Sequence, residues 1–274
     1  MIATVQHNPA DVALDLIGRD YISWSAISTF QQCPLRFFYR YVERLPEPTV
    51  AASLVFGGAI HAGLEHHFRE LLDGNPPPSI GSLLDVYDAA CQARDDAEIV
   101  FGKDESHVSF HQLAERMLRA FQASECAQAG GTIIGIEEEF RGELVPGLPD
   151  LLARVDLLVD TGAKLVITDF KTSRSRWNQE HVEDAAEQLI LYASLVRDLS
   201  PGKDIGLQFI VVTKTKEPVV EQHSLDLDSQ RAERTKHVVE RVWSAIETGN
   251  YYPAPSPMSC GGCPFREPCR HWHG

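Results

Sequence analysis

Two aspartates and a lysine carry the chemistry this sequence offers. Asp156 interrupts the apolar run Ala153-Arg154-Val155-Asp156-Leu157-Leu158, and the run Val166-Ile167-Thr168-Asp169-Phe170-Lys171 ends on acid, spacer, base. Both runs read as strands. Residues two apart on a strand share a face, so Asp169 and Lys171 project together. The short link Thr161-Gly162-Ala163 predicts a hairpin that brings Asp156 beside Asp169. A charge inside an apolar strand needs a partner or an ion. Paired carboxylates hold a hard divalent cation, and an ammonium beside them activates water or offsets charge building on a phosphate. That is the equipment of a metal-dependent phosphodiesterase, and it outweighs the bland reading of aspartates at strand ends.

Weaker signals surround this core. Gln188 and Tyr192 fall one turn apart on a predicted helix, where they could position a lysine or touch a phosphate. His61 lies on an apolar helix; alone it reads as a packed residue, but two carboxylates in want of a third ligand raise the metal reading. Its neighbours His66 and His67 read as surface residues. Among Glu137, Glu138 and Glu139, alternation puts Glu137 and Glu139 on one face of a strand, and one of the three could join the site.

The cysteines form a second group. Of six, three are bunched as Cys260-Gly-Gly-Cys263-Pro-Phe-Arg-Glu-Pro-Cys269, and Cys33, next to Pro34, could complete a set of four. Four thiolates suit either Zn2+ or an iron–sulfur cluster, and spacing does not choose between them. Such a site would join the two ends of the chain. Cys91 and Cys126 read as ordinary buried thiols.

The elements that must position these residues follow from periodicity and breakers. Residues 1–20 read as a loosely ordered lead-in. Ser25 caps a helix running towards Tyr41, broken near Cys33 by Pro34, and a second helix starts after Gly57-Gly58 with Ile60, Leu64, Phe68 and Leu71 on its apolar face. Gly74-Asn75-Pro76-Pro77-Pro78 is a break. Helices are expected over about 82–100 and 107–127, strands over 132–141, 151–160 and 164–172, and a helix over 182–199. Strands near 207–213 and 219–223 and a helix over 229–248 complete the chain. The reading is one domain over 21–274 with a helical insertion at about 75–130.

The chain has 274 residues, 43% of them hydrophobic, enough for a substantial core. No apolar run is long enough to cross a bilayer, and the start lacks the pattern of a signal peptide, so a cytoplasmic protein is expected. A net charge of −14 argues against a generally adhesive nucleic-acid binder, but base gathers locally at Arg36, Arg40 and Arg44, at Lys171, Arg174 and Arg176, and at Lys214 and Lys216. No Walker-type phosphate loop occurs, which argues against motor activity from this chain alone.

Together these residues resemble the PD-(D/E)XK nuclease superfamily, in particular its RecB-like branch. There a helical histidine precedes an aspartate, then Asp/Glu-x-Lys, then Gln-x-x-x-Tyr; His61, Asp156, Asp169-Phe170-Lys171 and Gln188-Leu-Ile-Leu-Tyr192 correspond in order. Val155, not proline, precedes Asp156, and Pro149-Asp150 is a rival for the first acid that the separation to Asp169 disfavours. The cysteine pattern is similar to that of AddB-type and CRISPR-associated nucleases with a [4Fe–4S] cluster. The resemblance implies an α/β, restriction-endonuclease-like core, a mixed sheet flanked by helices, and a Mg2+- or Mn2+-dependent deoxyribonuclease. His61, Asp156, Asp169 and the Phe170 carbonyl would hold the metal. Lys171 would serve catalysis with Gln188 and Tyr192 in support, and Cys33, Cys260, Cys263 and Cys269 would hold the cluster. It implies DNA as substrate, in repair, recombination or phage or CRISPR processing, and a separate helicase or recombination partner. The alternative is a non-catalytic DNA-binding or scaffold domain on a decayed nuclease fold, which an intact acid–acid–lysine set argues against.

Overall fold

A computed structural model describes residues 8–93, 97–199 and 202–274. In chain order its elements are α1 (Pro9–Ile17), β1 (Tyr21–Ser23), α2 (Trp24–Gln32), α3 (Pro34–Phe37), β2 (Thr49–Ala51), α4 (Ala52–Leu72), α5 (Ile80–Gln92), β3 (Glu98–Val100) and α6 (His107–Gln122). There follow β4 (Thr132–Gly142), β5 (Asp150–Asp160), β6 (Lys164–Ser173), α7 (Gln179–Val196), β7 (Asp204–Thr213), β8 (Val220–Leu225), α8 (Ser229–Glu247), α9 (Pro257–Gly261) and α10 (Arg266–Arg270). The chain groups into two compact units. One comprises Met1–Glu47, Glu139–Ala153 and Ser229–Gly274, the other Pro48–Glu138 and Arg154–Asp228.

The first unit brings both ends of the chain together. Residues 9–17, expected as part of a loose lead-in, form a helix: the Asn8 side chain accepts from the Ala10 N–H, Pro9 opens it, and Gly18 at φ +67° closes it. Residues 1–7 of that lead-in lie outside the described residues. Ser23, not Ser25, caps α2, because Ser23 is the last extended residue and its Oγ accepts from the Ala26 N–H. Pro34 ends the run as expected: Cys33 is extended, at φ −164° and ψ 105°, and the chain restarts as α3 and a π-helical turn over Phe38–Val42. β1 pairs in parallel with the start of β5, with Ile22 opposite Leu151. Phe30 and Phe37 pack edge-to-face, and α8 buries Val239, Val242, Trp243 and Ile246.

The second unit is an α/β body whose mixed sheet is flanked by helices, as expected. Thr161–Lys164 closes the predicted hairpin, Gly162 taking φ +86°, and sets Leu157 opposite Thr168 in the antiparallel β5–β6 pair. β7 lies parallel to β6, with Asp169 opposite Phe209 and Lys171 opposite Val211, and β8 is antiparallel to β7. Parallel neighbours need a crossover, and α7 supplies it. Its N-terminus is fixed by a reciprocal pair in which Asn178 caps the His181 N–H.

Helices α4, α5 and α6 pack on this sheet around Leu64, Phe68, Met117, Leu118, Phe121 and Phe170. The Phe68 and Phe170 rings stack at 5.7 Å. α4 begins at Ala52, ahead of the glycines expected to precede it. A Cβ at Gly57 would sit 3.4 Å from Thr172 Oγ1, an ordinary van der Waals contact, and α4 runs through this glycine past β6 without a break. α5 and α6 are shorter than their periodicity suggests: residues 98–100 pair with β2 as a strand, and a separate 3-10 turn takes Glu125–Ala127. His67, read as a surface residue, is buried, its Nε2 3.0 Å from the Ala127 carbonyl oxygen.

Candidate active site

The central part of β5, the end of β6 and the faces of α4 and α7 converge within the second unit. Asp169 and Lys171 do share a face: Oδ2 of the acid lies 2.7 Å from Nζ of the base. Asp156 reaches across the hairpin and accepts the Phe170 N–H at 2.7 Å. The helix residues continue the line: Lys171 Nζ donates to Gln188 Oε1 at 3.3 Å, and Gln188 Nε2 donates to Tyr192 Oη at 3.3 Å. From α4, His61 Nδ1 comes within 3.6 Å of Asp156 Oδ2. Asp150, the rival first acid, is instead tied to Arg141 at 3.0 Å.

Donor atoms of His61, Glu137 and Asp156 lie within 4.8 Å of one another, a spacing that one cation can bridge. Glu137 is therefore the glutamate of its triplet that joins this group. The expected alternation of Glu137 with Glu139 does not describe β4. Gly135 and Ile136 are buried in succession and Glu137 takes φ +51°, the left-handed region that a glutamate enters only when its surroundings hold it there. Gly135 permits this turn, since a Cβ there would meet Glu138 Cβ at 3.0 Å. Asp169 stands beside the trio rather than in it; its Oδ2 is buried and has no aligned hydrogen-bond donor among the described residues, although the Lys171 ammonium lies against it.

The electrostatics follow from burying several charges together. Burial, then Asp169 and Glu137, lifts Asp156 well above the usual carboxylate range, against the Phe170 hydrogen bond and Lys171. Burial, followed by Glu65, raises Glu137, with Arg154 and Arg69 opposing. Burial works against charge on Lys171, but Asp169, by charge and hydrogen bond, and Asp156 hold its ammonium above its ordinary range. Burial pushes His61 down, so its ring is neutral and its lone pair free for a cation. Tyr192, buried, is pushed up to about 12 and stays protonated. An excess of buried acid over base fits a divalent cation.

The first unit holds the thiols. Cys33, Cys260, Cys263 and Cys269 line one cavity of about 60 Å³ together with Arg36, Tyr39 and Arg266. The Ala254 N–H points at Cys33 Sγ, 3.5 Å away, and Tyr39 donates to the Pro268 carbonyl at 3.1 Å. Burial, then Cys33, Cys263 and Cys260, raises the Cys269 thiol. Among the described residues no three of these sulfurs come within 4.8 Å of one another. Four sulfurs around one zinc, at about 2.3 Å each, would stand only about 3.8 Å apart. Arg36 Nε is buried there without a hydrogen-bond partner. Cys91 and Cys126 lie apart, half-buried beside the core of the second unit.

Of the basic residues that gather locally in the sequence, Arg36 lines the thiol cavity. Arg176 pairs with Glu221 at 2.6 Å and Arg174 with Glu105 at 3.8 Å. No helix among the described residues is long and apolar enough to cross a membrane.

Comparison with known proteins bears on this arrangement. A family model of the PD-(D/E)XK nuclease superfamily matches residues 21–270. No curated protein matches the chain. Among solved structures, a "Putative exonuclease" from Eubacterium rectale is similar at 16% identity and a TM-score of 0.57, covering all (100%) of this chain and 94% of that one. SSO0001 matches at 14% identity and a TM-score of 0.36, covering 88% of this chain and 92% of that one. At these identities the first likeness concerns the fold.

Proposed function

The chain belongs to the PD-(D/E)XK nuclease superfamily, and from that membership we propose that it is a Mg2+- or Mn2+-dependent deoxyribonuclease acting on DNA ends or single strands. The observation that carries this reading is the intact set of Asp156, Asp169 and Lys171 on two hydrogen-bonded strands, with Lys171 2.7 Å from Asp169. A decayed scaffold would have no reason to keep two carboxylates inside the protein beside a lysine paired with one of them.

His61, Glu137, Asp156 and Asp169, with the Phe170 carbonyl, would hold the cation, which when bound polarises a phosphoryl oxygen and acidifies water. Neutral His61 offers a lone pair without adding repulsion. Lys171 orients the attacking water or meets the charge that builds on the phosphate, and Gln188 holds its ammonium at the angle set by α7. Tyr192 acts at one remove, fixing Gln188 through its protonated hydroxyl.

The thiol cavity supports a second assignment: a [4Fe–4S] cluster on Cys33, Cys260, Cys263 and Cys269, tying the start of the chain to its end. Zn2+ on the same four thiolates is the alternative. A cluster-bearing nuclease fits work beside a separate helicase or recombination partner in the cytoplasm.

The experiment is digestion of end-labelled linear and covalently closed circular DNA by anaerobically purified protein, with Mg2+, Mn2+ or EDTA. Cleavage with either metal, lost in Asp169→Ala and Lys171→Ala, is expected. Metal-independent cleavage, or equal cleavage by a folded Asp169→Ala protein, would remove the assignment.

A further inference from the structure

The helical part of the second unit encloses a cavity of about 770 Å³ that the phosphodiester chemistry leaves unused. Its walls are set by Phe56 on α4, Tyr87 and Asp88 on α5, Phe101 beyond β3, and Phe110 and His111 on α6. The aromatic rings brace one another edge-to-face: Phe56 and Phe110 at 4.9 Å, Phe101 and Phe110 at 5.7 Å, Phe56 and Tyr87 at 5.8 Å. One side is polar, where His111 Nδ1 lies 3.0 Å from Asp88 Oδ1.

The cavity adjoins the candidate active site through named contacts. Phe56 and His61 both stand on α4, five residues and about 7.5 Å of rise apart, their side chains leaving the helix roughly 140° from one another. Thr172, which follows Lys171, lies against Gly57. Lys214, whose N–H donates to the Ser173 carbonyl at 2.6 Å, puts its ammonium 5.9 Å from the centre of the Phe56 ring. Arg174 is close enough to press on that ammonium, and Glu105 is the carboxylate that faces both cations. Two cations sharing one acid, between a phosphate-cleaving strand and an aromatic cavity, make a place for a further anion.

We infer that this cavity receives an unstacked base of single-stranded DNA, while Lys214 and Arg174 meet the backbone phosphate between that base and the scissile bond. The inference rests on the nuclease reading above and names its substrate class. Its volume lies within the range of pockets that enclose small ligands, of the order of 300–1,000 Å³. Aromatic side chains hold bases of any identity through their π faces, and cations beside them follow the backbone. A paired base would first have to be flipped out of its stack, so the cavity selects single strands and frayed ends.

The test uses the whole protein with Ca2+ in place of Mg2+, and 12-nucleotide single strands carrying one 5-iodouracil at successive positions from either end. After irradiation, crosslinked peptides are mapped by mass spectrometry. Crosslinks at one register should fall on Tyr87 or within Phe101–His111. Phe101→Ala and Phe110→Ala should cut the yield at that register and weaken single-strand binding about tenfold, the effect of losing one stacking contact. If either variant melts early, the wild-type crosslink map decides. Crosslinks that map elsewhere, in a protein that cleaves DNA with Mg2+, would overturn the inference and leave the nuclease reading standing. Cavity crosslinks without cleavage would keep the base site and overturn the nuclease reading; neither crosslinks nor cleavage would sink both.

Discussion

The Phe170 backbone N–H donates to the Asp156 carboxylate across 2.7 Å, so the strand that presents one acid also aims the other. The bond is made by backbone and therefore survives most side-chain changes in β6. It orients Asp156 but does not relieve it: burial, Asp169 and Glu137 still keep this carboxyl well above its usual range.

A stability prediction follows from that shift. The unfolded carboxyl titrates near about 3.9, and the folded one higher, so between the two the native protein holds the extra proton. Stability of the metal-free protein should then fall as pH rises through that window. Asp156→Asn should flatten this fall and raise the melting temperature in EDTA at neutral pH, while lowering cleavage at least about a hundredfold. Melts in EDTA across mildly acid to neutral pH check it; a variant that melts below wild type at neutral pH would contradict the repulsion.

Gln188 is a positioning residue. Gln188→Ala should lower kcat about tenfold with KM little changed, because Lys171 keeps its partner Asp169 but loses its orientation. In a Lys171→Met background the same change should cost almost nothing, since residues acting through one another are not additive. Full additivity in steady-state rates would make Gln188 an independent contributor.

Glu137 sets backbone against side chain. Glu137→Gly should relieve the left-handed φ of 51° yet raise the metal concentration needed for half-maximal activity. Glu137→Gln should raise that requirement without stabilising the fold. Metal titrations of activity, beside melts in EDTA, separate the two effects; an unchanged metal requirement in both variants would remove Glu137 from the site.

The thiols are checked by iron content. Serine at Cys33, Cys260, Cys263 or Cys269 should lose iron and lower the melting temperature of anaerobically prepared protein, because ligation energy is also folding energy. Serine at Cys91 or Cys126 should keep both the brown colour and the iron. A colourless wild type with stoichiometric zinc would replace the cluster while keeping the ligands.

Two helix glycines give an internal control. A Cβ at Gly58 meets nothing within 4 Å, so Gly58→Ala should stabilise by about 0.5–1 kcal/mol. At Gly63 the added atom would approach Leu118 Cδ2 to 3.2 Å, so Gly63→Ala should gain less or destabilise. Chemical denaturation of both, compared with wild type, gives the difference; equal gains would mean that the α4–α6 contact gives way freely.

The sequence by itself determined whatever depends on local spacing. Asp169 and Lys171 had to share a face because a strand repeats every two residues, and Gln188 and Tyr192 had to align because a helix returns after about one turn. Pro34 had to break the first helix, and Gly162 had to turn the hairpin. Tertiary structure decided what depends on approach between distant segments. The left-handed kink at Glu137 broke the alternation that would have paired it with Glu139. Packing of α4 on the sheet brought His61 to Asp156, and the Ala127 carbonyl gave the buried His67 a partner. The aromatic cavity has walls on α4, α5 and α6, and the thiol cavity gathers Cys33 with residues from the far end of the chain. Periodicity fixes the direction in which a side chain leaves its own element; which partner it meets is set by the packing of other elements, and no local spacing encodes that.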